Sequence, residues 1–287
     1  MSDDSTRFVG SIPENYDRGL GPILFSDYAE QTARLVAGYA PSRVLETGAG
    51  TGIVTRRLRD LLPATTRLIA TDLNPPMLDV ARKKFHPAEP IEFQHADAMA
   101  LPFANASFDA VVCQFSAQFF PDKEKSYREA YRVLAPGGRY VFSVWDGGYN
   151  RHARIADEVA AQFFPTDPPQ FYRVGTGYNK IDPIKDSLSD AGFIDLRIAV
   201  LTREKQVADI GAFARALVYG NPLIDMIRTR GGIDPDQVVN ALGEAFAREF
   251  GNPARLPLQA ILFEATRPYA DAPLWITVLH PRTLAHK

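Results

Sequence analysis

The chain has 287 residues, 46 % of them hydrophobic, and a formal net charge of −2. That is enough apolar material for one large α/β core with insertions, and it offers no charge excess suited to a nucleic-acid backbone. The single cysteine, Cys113, excludes an intrachain disulfide, no run of about 18 apolar residues spans a bilayer, and the polar start Met1-Ser-Asp-Asp-Ser is unlike a secretion signal. A cytoplasmic protein with no nucleic-acid partner and no membrane span is expected.

In chain order, residues 15–25 are too apolar and aromatic for a free tail. A helix is predicted over 26–39, with Tyr28, Thr32, Leu35, Val36 and Tyr39 on one face and Pro41 as its stop. Residues 43–47 read as a buried strand running into Gly48-Ala49-Gly50-Thr51-Gly52. The helix after it carries Val54, Leu58, Leu61 and Leu62 and stops before Pro63. A second strand over 67–71 reaches Asp72. Asn74 then caps a helix opened by Pro75-Pro76, with Met77, Val80, Ala81 and Phe85 inward. A third strand, 91–95, leads to Asp97.

Residues 108–115 form a nearly continuous apolar run, as in a strand covered on both faces, and Cys113 within it reads as inert packing. Asp122 caps a helix with Tyr127, Ala130, Tyr131 and Leu134 as its buried stripe. Pro136-Gly137-Gly138 is predicted to turn into a fifth strand over 139–145. Strand and helix alternate, which implies right-handed crossovers and a parallel sheet. The rhythm breaks at 147–180, a stretch rich in Pro, Gly and aromatics around one helix (153–164) that suits a lid. A helix over 183–191, a strand over 193–202, helices over 210–218 and 235–250 and a strand over 255–266 complete the pattern. The tail after 268 shows no clear periodicity.

Three alternating glycines at 48, 50 and 52 strip the turn of Cβ atoms, so a ligand can lie on the backbone at a helix start. The dinucleotide fingerprint wants G-x-G-x-x-G, with a pyrophosphate at the helix N-terminus; here the third glycine is one position early. Asp72, 20 residues past Gly52, is placed to accept both ribose hydroxyls. Asp97-Ala98 can receive an adenine amino group, and Glu46 can face a positive amino-acid end. Three acids around one mouth would repel a pyrophosphate and favour a sulfonium and an ammonium. That sign favours S-adenosylmethionine over a nicotinamide cofactor.

With these motifs the chain resembles the class I methyltransferases, in particular the group of ubiquinone/menaquinone-biosynthesis C-methyltransferases (methyltransferase type 11). The matching pieces are Val44-Leu-Glu-Thr-Gly-Ala-Gly-Thr-Gly52, Ala70-Thr-Asp-Leu-Asn-Pro-Pro-Met-Leu78, Ala96-Asp-Ala-Met-Ala-Leu-Pro-Phe103, Ser107-Phe-Asp-Ala-Val-Val112 and Arg132-Val-Leu-Ala-Pro-Gly-Gly138. The resemblance implies a Rossmann-like, doubly wound seven-stranded α/β sheet, mostly parallel with an antiparallel last strand, plus helical cap insertions. It implies one domain over 1–268: an N-terminal helical cap (1–41), a cofactor-binding core (42–146) and substrate cap insertions (147–180 and 203–254), followed by a tail (269–287). Cofactor contacts then fall at Glu46, Thr47, Gly48, Ala49, Gly50, Gly52, Asp72, Leu73, Met77, Asp97 and Ala98. Thr47 departs from the different small or hydrophobic residue, often Val, Leu or Ile, that many relatives carry there.

The same resemblance puts Gln114 and Phe115 at a sheet edge that meets cofactor and substrate, and folds Tyr16 over the cofactor. Phe25, Gln118, Phe119 and Trp145 become acceptor candidates. Plain alternatives stand beside these: strand terminus for Gln114, core for Met77, Phe119 and Phe120, helix cap for Asp72, turn residue for Asp97. His152, at the opening of the lid, is the one histidine considered as a proton acceptor. No cluster has metal-ligand spacing and no nucleophile elbow stands out. Phe163, Phe164, Phe171, Tyr172, Tyr178, Phe213 and Tyr219 give the caps an aromatic character that suits a small apolar or aromatic methyl acceptor, or only packs the caps down. The expected activity is in-line methyl transfer from S-adenosylmethionine, leaving S-adenosylhomocysteine. A non-catalytic binder of the same molecule and a nicotinamide-dependent reductase are the alternatives, and a homodimer is left open.

Overall fold

The computed structural model of the chain describes residues 6–269, so the start 1–5 and the tail 270–287 lie outside the description. One helical segment opens it: α1 (Ile12–Asn15), a π-helical stretch (Tyr16–Phe25) and α2 (Ser26–Ala37). The predicted helix over 26–39 is therefore the last part of a longer one. Pro22 in the middle carries no N–H and cannot feed an ordinary i→i−4 ladder, and the Ser26 N–H reaches back five residues to the Gly21 carbonyl.

The strands and helices of the first half follow in the predicted order: β1 (Arg43–Thr47), α3 (Ile53–Leu61), β2 (Arg67–Asp72), α4 (Pro75–Arg82), β3 (Ile91–His95), β4 (Phe108–Gln114), α5 (Lys123–Val133) and β5 (Leu134–Trp145), the last starting five residues before its predicted start and taking in Leu134, which was expected on the helix. The Asp122 carboxylate caps α5 by accepting the Lys125 N–H at 2.8 Å. Pro136-Gly137-Gly138 is not a turn before the strand. It is an irregularity inside β5, where pairing with β4 shifts between Phe108 and Ala110 and Gly137 takes φ +78°.

The second half carries α6 (Arg151–Phe163), α7 (Phe171–Gly177), α8 (Ile181–Asp190), β6 (Ile194–Val207), α9 (Ile210–Tyr219), α10 (Leu223–Arg230), α11 (Pro235–Phe250) and β7 (Ala254–Thr266). The stretch 147–180 thus holds a second helix, α7, and α10 lies in a segment to which the sequence analysis assigned no element. Here Pro222 starts a helix instead of ending one. β6 also runs five residues past its predicted end. Arg203-Glu204-Lys205 looks like loop, but these residues sit on an edge strand that pairs with β7 as far as Val207↔Ala254.

All seven strands form one sheet in the order β3-β2-β1-β4-β5-β7-β6. β7 runs antiparallel to both β5 and β6, and the other pairs are parallel. Side-chain alternation splits the central strands between two cores. Leu45, Val111, Tyr140 and Phe142 pack with Tyr127 and Leu188 on one face, while Val44, Ala110, Val112 and Val141 pack with Val36 and Leu58 on the other. A third apolar cluster joins the N-terminal segment to α6, α7 and α9–α11. Strand order reverses between β1 and β4, and their carboxyl ends open the crevice in which α/β sheets bind ligands.

Candidate active site

A cavity of about 410 Å³ fills that crevice. Its floor is the turn after β1, where Gly48 and Gly50 have φ of +61° and +56°. A Cβ on Gly48 would lie 2.5 Å from Ser116 Cβ, and one on Gly50 would lie 3.4 Å from Met77 Cε. The turn is held from below: the Ala49 N–H donates to the Thr71 carbonyl at 2.9 Å, and the Gly50 N–H to Asp72 Oδ2 at 2.8 Å. Asp72 Oδ1 accepts the Asn74 N–H, also at 2.8 Å.

The predicted residues Tyr16, Phe25, Glu46, Gly48, Ala49, Gly50, Asp72, Leu73, Met77, Asp97, Ala98, Gln114, Phe115, Gln118, Phe119, Trp145 and His152 all line this one cavity. Two do not. Thr47 points its hydroxyl into the sheet toward the Val112 carbonyl, 3.4 Å away. Gly52, at φ +76°, packs α3 onto α4, since a Cβ there would come within 2.8 Å of Ala81 Cβ. The third glycine serves helix packing, not a ligand.

Three carboxylates ring the floor. Glu46 is buried and accepts the Thr55 hydroxyl at 2.6 Å. Burial pushes its carboxyl up to about 8, with the Thr55 hydroxyl working against the rise and nearby Asp72 adding to it. Burial likewise raises Asp72, opposed by the N–H groups of Asn74 and Gly50. Asp97 Oδ1 accepts the Met99 N–H at 2.8 Å, which shapes the turn after β3. Among the described residues, no lysine or arginine lines the cavity.

The roof is aromatic. Phe115, at φ +53°, stacks on Trp145 with ring centroids 3.8 Å apart, and Tyr16 stacks on Phe25 at 4.9 Å. Phe119 stacks on Phe171 at 5.7 Å. Gln114 borders the space, yet its amide is engaged elsewhere: it accepts from the Thr32 hydroxyl at 3.1 Å and donates to the Phe25 carbonyl at 3.4 Å, tying the first helical segment to β4. Burial pushes the His152 imidazole down to about 4, so it is neutral at pH 7. Of the other cap aromatics, Phe164 and Phe213 belong to the core cluster, Tyr178 meets the Tyr127 hydroxyl at 2.7 Å, and Tyr219 donates to Asp236.

Several lining residues were not anticipated, among them Phe8, Ser116 and Asn221. The Asn221 amide donates to the Tyr172 hydroxyl at 3.0 Å, and that hydroxyl donates to the Leu217 carbonyl at 2.7 Å. Ser116 could have been suspected from Gly48, which must be bare to let something approach; Phe8 and Asn221 carry no local pattern. Among the described residues no group of three or more His, Cys, Asp or Glu could hold a metal ion, and no helix is long and apolar enough to cross a membrane.

Comparison with known proteins agrees with the resemblance read from the motifs. Residues 45–142 match the family described as methyltransferase domain. A demethylmenaquinone methyltransferase of Thermus thermophilus is 44 % identical over 103 residues, 36 % of this chain and 46 % of the relative. The ubiquinone/menaquinone biosynthesis C-methyltransferase UbiE of Pseudoalteromonas translucida is 31 % identical over 166 residues, 52 % of this chain and 65 % of the relative. The chain spans about half the length of the first curated relatives it matches. In fold it is similar to phosphoethanolamine N-methyltransferase 2 of Haemonchus contortus, solved with phosphomonomethylethanolamine and S-adenosylhomocysteine. That likeness has a TM-score of 0.52 at 18 % identity and covers 91 % of this chain and 61 % of the other.

Proposed function

We propose, from the match of residues 45–142 to a methyltransferase domain, that the chain transfers a methyl group from S-adenosylmethionine to a small apolar or aromatic acceptor. The observation that carries this reading is the sign of the cavity: Glu46, Asp72 and Asp97 line a bare-backbone floor with no lysine or arginine beside them. Such a floor disfavours a diphosphate and favours a ligand with a sulfonium and an ammonium. When bound, S-adenosylmethionine supplies a methyl group on sulfur whose thioether is a ready leaving group.

The residues present fit it. Gly48 is bare to admit the Ser116 side chain, Gly50 leaves room at the turn, Glu46 offers a carboxylate to the ammonium, and Asp72 keeps lone pairs for ribose hydroxyls beside those that hold Gly50 and Asn74. Met77, Leu73 and Asp97-Ala98 border the place for the adenine. Tyr16 reaches the space from the first helical segment and, with the other aromatics of the roof, gives the acceptor side an apolar lining. Alignment of the acceptor behind the methyl group is the main task left, and positioning of that kind can supply roughly 7–11 kcal/mol at best. His152, neutral and poorly basic, is suited to hold a hydrogen bond and not to remove a proton from a high-pKa group.

Transfer of labelled methyl from S-adenosylmethionine to a panel of apolar phenols and quinols tests the proposal. Label appearing in an organic-extractable product is the expected result. Tight binding of S-adenosylhomocysteine with no transfer to any panel member would turn the reading toward a non-catalytic binder.

A further inference from the structure

Resting on that reading of the cavity, the lining also limits what the acceptor can be. A carboxylate or phosphate on the acceptor would leave water for a space with three acids and, among the described residues, no lysine or arginine to receive it, and its one histidine is neutral. An uncharged polar end is different, because three side chains of the lining, Thr51, Gln118 and His152, have unmet hydrogen-bonding capacity, and of these Gln118 and His152 lie outside the glycine turn. Both amide atoms of Gln118 and Nδ1 of His152 lack a protein partner, although the two residues are only 3 % and 4 % exposed. Native proteins rarely bury such atoms unpaired without a ligand or water to meet them.

Both side chains sit on firm supports. Gln118 is central in the short 3₁₀ turn Ala117–Phe119 that follows β4; the Phe119 N–H closes that turn on the Ser116 carbonyl at 2.9 Å, and the Phe119 ring stacks on Phe171. His152 stands in the first turn of α6 with its ring 6.3 Å from that of Phe213. The Gln118 amide supplies one acceptor and two donors, and a neutral imidazole supplies one of each.

We propose that Gln118 and His152 are the specificity-determining pair of the acceptor pocket. They select an uncharged molecule with an apolar or aromatic body whose polar end both donates and accepts a hydrogen bond, as a hydroxyaryl ketone does, over its carboxylate or phosphate counterpart.

The test uses the full chain saturated with S-adenosylhomocysteine. It is titrated with one- to three-ring hydroxyaryl ketones, with the matching hydroxyaryl carboxylates, and with the ketones lacking the hydroxyl. The hydroxy-ketones are expected to bind at least about tenfold more tightly than either matched set, the cost of unpaired polar groups. Gln118→Leu and His152→Phe should each erase about tenfold of that preference, leaving the affinity for S-adenosylhomocysteine and for the deoxy ketones unchanged. Gln118→Ala serves in the same way if the leucine variant does not fold. Carboxylates bound as tightly as ketones, no binding by any member of the panel, or variants that keep the full preference would each overturn the proposal. Failure of the wild-type chain to bind S-adenosylhomocysteine would instead overturn the cofactor reading beneath it.

Discussion

Glu46 shows how a single buried acid couples the site to pH. Its carboxyl is raised to about 8 chiefly by burial, so ionising it costs the folded state something the unfolded chain does not meet. The stability it contributes is fully present below the ordinary carboxyl range and is lost as pH rises through about 8. A cationic ligand alongside would favour the ionised form and reverse the shift. Binding of S-adenosylmethionine at pH 7 should therefore release most of a proton, read by calorimetry in two buffers of different ionisation enthalpy, and Glu46→Gln should abolish the release. Asp72→Ala should weaken cofactor binding by about 1.5–3 kcal/mol, the scale of a hydrogen bond to a charged group. It also frees the Gly50 N–H, so the thermal midpoint should fall with it; unchanged affinity for S-adenosylhomocysteine would count against the ribose role. That the three acids and the glycine turn meet at one cavity was legible, because their spacing alone sets them around that turn. Gly52 was not, because the residue that needs its bareness, Ala81, belongs to another helix and leaves no mark beside it.

Two helix contacts depend on missing side chains in the same way, with opposite expected consequences. A Cβ on Gly19 would overlap the Ala216 side chain where the π-helical stretch crosses α9. Gly19→Val should lift residues 12–25 from the cap: proteolytic cutting within them should rise and cofactor affinity should fall, while the urea midpoint of the sheet stays close to wild type. Gly52→Ala strains a left-handed turn and crowds α4, so it should lower folding stability by about 1–3 kcal/mol in urea titration. If the midpoint does not move, the packing role assigned to Gly52 is wrong. The elements β1 to β4 and α3 to α5 were readable from apolar periodicity, from the Pro75-Pro76 start and from the cap at Asp122, whereas the Asn74 side chain sits at the cap position without capping and accepts the Phe8 N–H instead. The π-helical stretch, α7 and α10 were not, since prolines and glycines that ordinarily punctuate helices lie within or at the start of helices here. β6 was cut short for a related reason: charged residues on an edge strand look like loop until their partner strand is known.

At the scale of the whole molecule, the cap is assembled from pieces far apart in the chain. Residues 12–25, the α6–α7 lid and α9–α11 share one apolar cluster over the carboxyl edge of the sheet. Periodicity marks each piece as amphipathic but not as a partner of the others, so the roof of the cavity could be named by composition and not by contact. The seven-stranded sheet and its antiparallel last strand came from the resemblance in the motifs, which lie between residues 44 and 138, and the structure carries both; the order of the strands was not read from the sequence. The strand-order reversal then puts the glycine turn, the three acids and the roof around one space, which gives the site a definite electrostatic sign. Parallel calorimetric titrations of the purified chain with S-adenosylhomocysteine and with NADH test that sign most directly. Saturable binding of S-adenosylhomocysteine with no heat from NADH is predicted; NADH binding in competition with S-adenosylhomocysteine, or in its place, would contradict it.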